Sequence, residues 1–81
     1  MNIIFEEAYS YILVKDDQDW YLTFFTGGPV EIDICVKLTD AEIAKVSKSK
    51  NEAAKLAGEF QQDRSLFSGR RVIPSVVPGV I

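Results

Sequence analysis

The sequence predicts an α+β fold: a three- to four-stranded antiparallel meander sheet, packed on one face by one or two C-terminal helices. Two changes of pattern predict it. Across residues 30–38 every even position is apolar and the odd positions are mainly charged, the alternation of a strand with one buried face. After Thr39 the apolar spacing becomes three and four, at Ile43, Val46, Ala53, Leu56, Ala57 and Phe60, which is one stripe of a helix. With 81 residues, 47% hydrophobic and 26% charged, the chain is expected to form a single soluble domain near the lower size limit for one core. Its parts are a β-meander over 1–38, a helical region over 39–69 and an extended apolar tail over 70–81.

The first strand is expected over residues 9–15, begun by Ile3 to Phe5 with an irregularity near Glu6-Glu7, where alternation slips. The acidic run Asp16-Asp17-Gln18-Asp19 reads as a turn of two or four residues that sets Leu13 beside Trp20 and Tyr11 beside Leu22. Residues 20–25 are a strand by residue type. A three-residue loop, Thr26-Gly27-Gly28, pairs Phe24 with Val30, Leu22 with Ile32 and Trp20 with Ile34. A loop of even length would set those apolar residues against Glu31 and Asp33, because one residue of slip exchanges the two faces. The core face is then Tyr9, Tyr11, Leu13, Trp20, Leu22, Phe24, Val30, Ile32, Ile34 and Val36.

Thr39 with Glu42 forms a capping box that starts the helical region, and Ser49 with Glu52 forms a second. The weak helix formers between them divide the region into a helix to about Ser47 and another over 50–62; one continuous helix is the alternative. Ser68-Gly69 closes the region. The tail carries Pro74 and Pro78, which restrict it to an edge strand or a segment laid over the sheet.

Composition disfavours most chemistry. The chain has no histidine, one cysteine and no phosphate-binding glycine motif, so we expect no enzymatic activity, no cofactor and no metal. Asp16, Asp17 and Asp19 have calcium-loop-like spacing but lack the further ligands and the glycine such a loop needs. No apolar run approaches the ~20 residues of a membrane span. The N-terminal segment lacks the basic flank of a signal peptide, and a single cysteine suits a reducing compartment, so a cytoplasmic, bacterial-type protein is expected.

Charge is segregated along the chain. Residues 1–40 carry eight carboxylates against two lysines, a net −6, and residues 41–81 carry four against seven Lys and Arg, a net +3. The acidic total disfavours nucleic acid. Lys45, Lys48, Lys50, Lys55, Arg70 and Arg71 read as a solvated basic side. The outward sheet face holds Ile12, Val14, Asp19, Tyr21, Thr23, Phe25, Glu31, Asp33 and Cys35, too apolar for a face meant only for water. The candidate partner interface is Asp16, Asp17, Asp19, Tyr21, Thr23, Phe25, Glu31 and Asp33: aromatics supply contact area and acids steer a basic protein. Two alternatives remain open, a tail folded over Ile12, Tyr21 and Phe25, and a homodimer formed through this face.

The length, the aromatic run Trp20-Tyr21-Leu22-Thr23-Phe24-Phe25-Thr26-Gly27-Gly28 and the run Lys37-Leu38-Thr39-Asp40-Ala41-Glu42-Ile43 resemble small immunity proteins of bacterial contact-dependent or polymorphic toxin systems. The resemblance is architectural and spans roughly residues 9–71. It implies a toxin partner with a basic, nuclease-like surface and no enzymatic activity. The competing expectation is a self-associating structural or regulatory subunit.

Overall fold

The structure, a computed structural model, describes residues 2–7, 10–25 and 33–73. Five strands, β1 (Asn2–Glu7), β2 (Tyr11–Asp16), β3 (Asp19–Phe25), β4 (Asp33–Lys37) and β5 (Arg71–Val72), form one sheet in sequence order, and every neighbouring pair is antiparallel. Helices α1 (Asp40–Val46) and α2 (Lys50–Gln62) and a 3-10 turn (Arg64–Phe67) complete the α+β architecture.

Residues 3–5 do not begin the strand that contains Tyr11. They belong to β1, a separate edge strand, because the chain reverses after Glu7: the Ser10 N–H donates to the Glu7 carbonyl at 3.0 Å. The slip in alternation has a second source, an irregularity in the β1–β2 ladder between Ile3 and Phe5 that leaves Ile4 as the extra residue. Ile4 and Phe5 both pack against the core as a result.

Both hairpin registers differ from the sequence expectation by an even number of residues. Leu13 pairs with Leu22 and Tyr11 with Phe24, which leaves Asp17-Gln18 as a two-residue turn. Asp17 sits at φ 61°, the positive φ that such a turn demands at its first central position. On the other side Phe24 pairs with Ile34 and Leu22 with Val36, so the pairing of Phe24 with Val30 is overturned. The loop assigned to Thr26-Gly27-Gly28, with Val30 and Ile32, lies outside the described residues, as do Tyr9 and the tail beyond Ile73. Even shifts leave the faces intact.

Tyr11, Leu13, Leu22, Phe24, Ile34 and Val36 accordingly form the buried sheet face, with Trp20 partly buried beside them. Val46, Ala53, Ala57 and Phe60 close it from the helical side. Phe67 was not legible as core from its surroundings, yet it joins Phe24 and Phe60 in a triangle of tilted and edge-on rings with centroids 5.3–6.1 Å apart. Such geometry favours aromatic pairs through their quadrupoles. Two hydrogen bonds fix α2 to the sheet: the Tyr11 hydroxyl donates to the Lys50 carbonyl at 3.3 Å, and Gln61 Nε2 donates to the Phe25 carbonyl at 3.0 Å.

The α1 capping box forms as read: Glu42 N–H donates to Thr39 Oγ1 and Thr39 N–H to Glu42 Oε1. The second does not. Ser49 occupies the N-cap position of α2, but its side chain makes no capping hydrogen bond. Asp63 instead caps the 3-10 turn, accepting from the backbone and hydroxyl of Ser65. Those hydrogen bonds hold its carboxyl below the ordinary value.

Truncating Phe60 removes the ring shared by both other members of the triangle. Phe60→Ala is expected to lower unfolding free energy by about 3–5 kcal/mol in urea denaturation, the range for a large aromatic lost from a packed core.

Candidate functional site

Strand alternation sends Ile3, Ile12, Val14, Asp16, Asp19, Tyr21, Thr23, Phe25, Asp33, Cys35 and Lys37 to the sheet face opposite the helices. The centre of that face is closed: Val14, Thr23 and Cys35 each have 0% exposure. Thr23 is therefore corrected from partner contact to interior residue. It occupies the central strand between Ile12 and Cys35, and its Oγ1 has no hydrogen-bond partner among the described residues. Ile12, Tyr21 and Phe25 are half-buried around this centre, and Ile3 keeps 49% exposure at the β1 edge.

Glu6, opposite Ile12, lies on this face at the β1 edge, and the described carboxylates of the candidate interface divide between two ends of the sheet. Asp16, Asp17 and Asp19 cluster at the β2–β3 turn with Tyr21 next to them. Asp33 pairs with Phe25 at the far end of β3, six residues from Asp19, or ~20 Å at the rise of a strand. The seven described members of the proposed interface thus do not form one patch. Glu31 lies outside the described residues.

Electrostatics single out the turn. Asp16 and Asp19 are directly opposed across the β2–β3 ladder, an arrangement of like charges that destabilises a hairpin. Lys37 offsets part of it through a 3.4 Å ion pair to Asp19, with both side chains about half exposed. Lys15 is turned to the other face, with its Nζ 5.8 Å from the Trp20 ring centroid. Asp16 and Asp17 are exposed and have no ion pair among the described residues. The Tyr21 hydroxyl is pushed above its usual pKa, first by burial and then by the charge of Asp19, against a smaller opposing effect of Lys37.

The basic side is partly spent inside the fold. Lys50 pairs with Glu7 at 3.0 Å, and the hydrogen bond and charge of Glu7 raise the lysine pKa. Arg70 is committed to Glu42 at 2.6 Å. A groove of about 590 Å³ runs between α1, α2 and the 3-10 turn, floored by Val46, Leu56, Phe60 and Leu66. Its lining mixes Lys45 and Lys55 with Glu42, Glu52 and Glu59, and Glu42 is already paired with Arg70, so two free acids face two lysines. Among the described residues no group of three or more Cys, Asp or Glu is placed to hold a metal ion, and no helix is long and apolar enough to cross a membrane.

The buried Thr23 hydroxyl gives a direct check on the closed face. Thr23→Val is expected to raise stability by about 1–2 kcal/mol, since it removes an unpartnered polar atom at nearly constant shape. A loss of stability in urea denaturation would show that the hydroxyl is satisfied.

Comparison of the chain with protein-family models, curated proteins and solved structures finds no match.

Proposed function

We propose that this chain is a small protein-binding inhibitor of the immunity type, acting in the bacterial cytoplasm against a toxin domain with a basic, nuclease-like surface. The opposed carboxylates Asp16 and Asp19, with Asp17 between them, carry this reading. Like charges held against each other at an exposed turn weaken the free protein, and a cationic partner surface relieves that repulsion on binding. A basic phosphate-binding cleft is such a surface, and the local negative field accelerates encounter with it. Half-buried Tyr21, seated beside the acids, supplies rigid contact area at the edge of the same patch.

The burial of Thr23 and the separation of Asp33 narrow the proposed contact to Asp16, Asp17, Asp19 and Tyr21. Recognition through a protruding acidic turn asks little of the rest of the sheet face.

The product of the gene beside this one is the partner to test first. Expressed alone it is expected to be toxic, and co-expression of this chain should restore growth. Growth arrest unrelieved by the chain would count against an inhibitor. For the mechanism, Asp16→Lys should leave the fold as stable as before, or more stable by up to about 1 kcal/mol, because it replaces the repulsive cross-strand pair by an attractive one. The same substitution should slow association with the basic partner at low salt and flatten the salt dependence of the on-rate. An unchanged on-rate in stopped-flow mixing would remove the steering argument.

A further inference from the structure

Downstream of the 3-10 turn the described chain, residues 70–73, lies along β4 in a short pairing. β5 contributes two residues, Val72 opposite Cys35 and Arg71 opposite Val36, and the Lys37 N–H donates to the Arg70 carbonyl at 3.1 Å. Arg71 and Ile73 are exposed, Ile73 by 76%. The fastening is concentrated in one side chain. Arg70 Nη1 donates to Glu42 Oε1 at 2.6 Å and to the Lys37 carbonyl at 3.1 Å. Its Nη2 donates to Glu42 Oε2 at 3.2 Å and to the Leu66 carbonyl at 2.6 Å. This two-pronged grip on a carboxylate is the strong form of an arginine ion pair, and it is largely shielded, with 26% and 17% of the two side chains exposed. Immediately before Arg70, Gly69 sits at φ 79° with open space where a Cβ would stand. Phe67 anchors the chain in the aromatic triangle just ahead of that glycine.

From this geometry we infer that residues 70–73 are a strap that swings off the β4 edge about Gly69 while the rest of the fold stays closed, and that the Arg70–Glu42 pair is its latch. Phe67 need not leave the core for the strap to open. Opening frees the Lys37 N–H and leaves β4 with the unpaired backbone groups that accept an extended strand from another chain. Glu42 has a double duty that makes the latch separable from the helix. Its Oε1 also accepts from the Thr39 N–H, and glutamine serves equally well in that capping role.

Amide hydrogen exchange on the full chain tests the strap, read as protection factors so that intrinsic pH effects cancel. In Glu42→Gln the Lys37 amide is expected to lose roughly ten- to a hundredfold of its protection, the worth of a charged hydrogen-bonded pair, while Leu22 and Ile43 stay as protected as before. Arg70→Lys, which keeps the charge and loses the fork, should fall between the two. In the unaltered protein Lys37 exchange should be insensitive to low urea, as for local opening. A Lys37 amide that shares the urea slope of Leu22, or that is indifferent to Glu42→Gln, would overturn the strap.

Acidity gives a second readout with a definite sign. Burial alone would raise the Glu42 carboxyl, but hydrogen bonds from Arg70 and Thr39 and the Arg70 charge together hold it below its ordinary 4.5. The latch is therefore fully engaged above pH 4.5 and weakens as pH falls through the lower folded value. Lys45 on α1 and Glu52, Lys55 and Glu59 on α2 share the groove with Glu42, and Asp19 is paired to Lys37, so other groups titrate nearby. Subtracting the Glu42→Gln profile isolates the latch. Lys37 protection should drop below pH 4.5 only where Glu42 is present; parallel profiles would again overturn the inference.

Discussion

The triangle of Phe24, Phe60 and Phe67 is the contact on which the remainder of the domain is organised. It joins the central strand to the long helix and to the 3-10 turn that follows it, bringing together parts of the chain more than 30 residues apart. In an 81-residue chain with one cysteine and so no internal disulfide, cohesion rests on buried apolar area, of which these rings supply a large share beside the aliphatic core. Seating Phe60 against the sheet fixes α2. The α2 position in turn fixes α1 beside it, and with α1 the direction in which Glu42 points. Phe67 then sets the start of the segment that Arg70 fastens down.

Charge follows the layers of this fold more than it follows the halves of the chain. The strands retain unpaired acids at the β2–β3 turn, whereas Glu7, Glu42 and Asp19 are each matched by a base from another element. The two half-exposed pairs, Lys50–Glu7 and Lys37–Asp19, contribute little to stability because water and salt screen them. The Arg70–Glu42 pair differs, being more enclosed and bonded through both carboxylate oxygens. One pair thus closes an edge of the sheet, while Asp16 and Asp17, at the same end and beyond the Lys37–Asp19 pair, are left facing outward.

Closure of the second sheet face at Val14, Thr23 and Cys35 changes how this protein can meet a partner. A flat apolar docking platform is not on offer at its centre. The contacts we propose lie at its margins: the acidic turn at one end and, when the strap opens, the backbone of β4 at one side. These are different recognition modes, one electrostatic and dependent on salt, the other dependent on backbone hydrogen bonds.

Read alone, the chain specified the fold class, the faces of β2, β3 and β4 and the Thr39–Glu42 cap, and it favoured the break between two helices that the structure shows. All of these rest on residues within about four positions of each other, or on a strict period of two. It also marked Asp16, Asp17 and Asp19 as an acidic turn. Absolute register it set wrongly: Val30 and Ile34 have the same parity and similar shape, so periodicity cannot choose between them as the mate of Phe24, and the assembled sheet pairs it with Ile34 instead of the expected Val30. The reversal after Glu7, the closed position of Thr23 and the ~20 Å between Asp19 and Asp33 follow from that assembly. So does the grip of Arg70 on a glutamate 28 residues away, because nothing in the local pattern of either residue names the other.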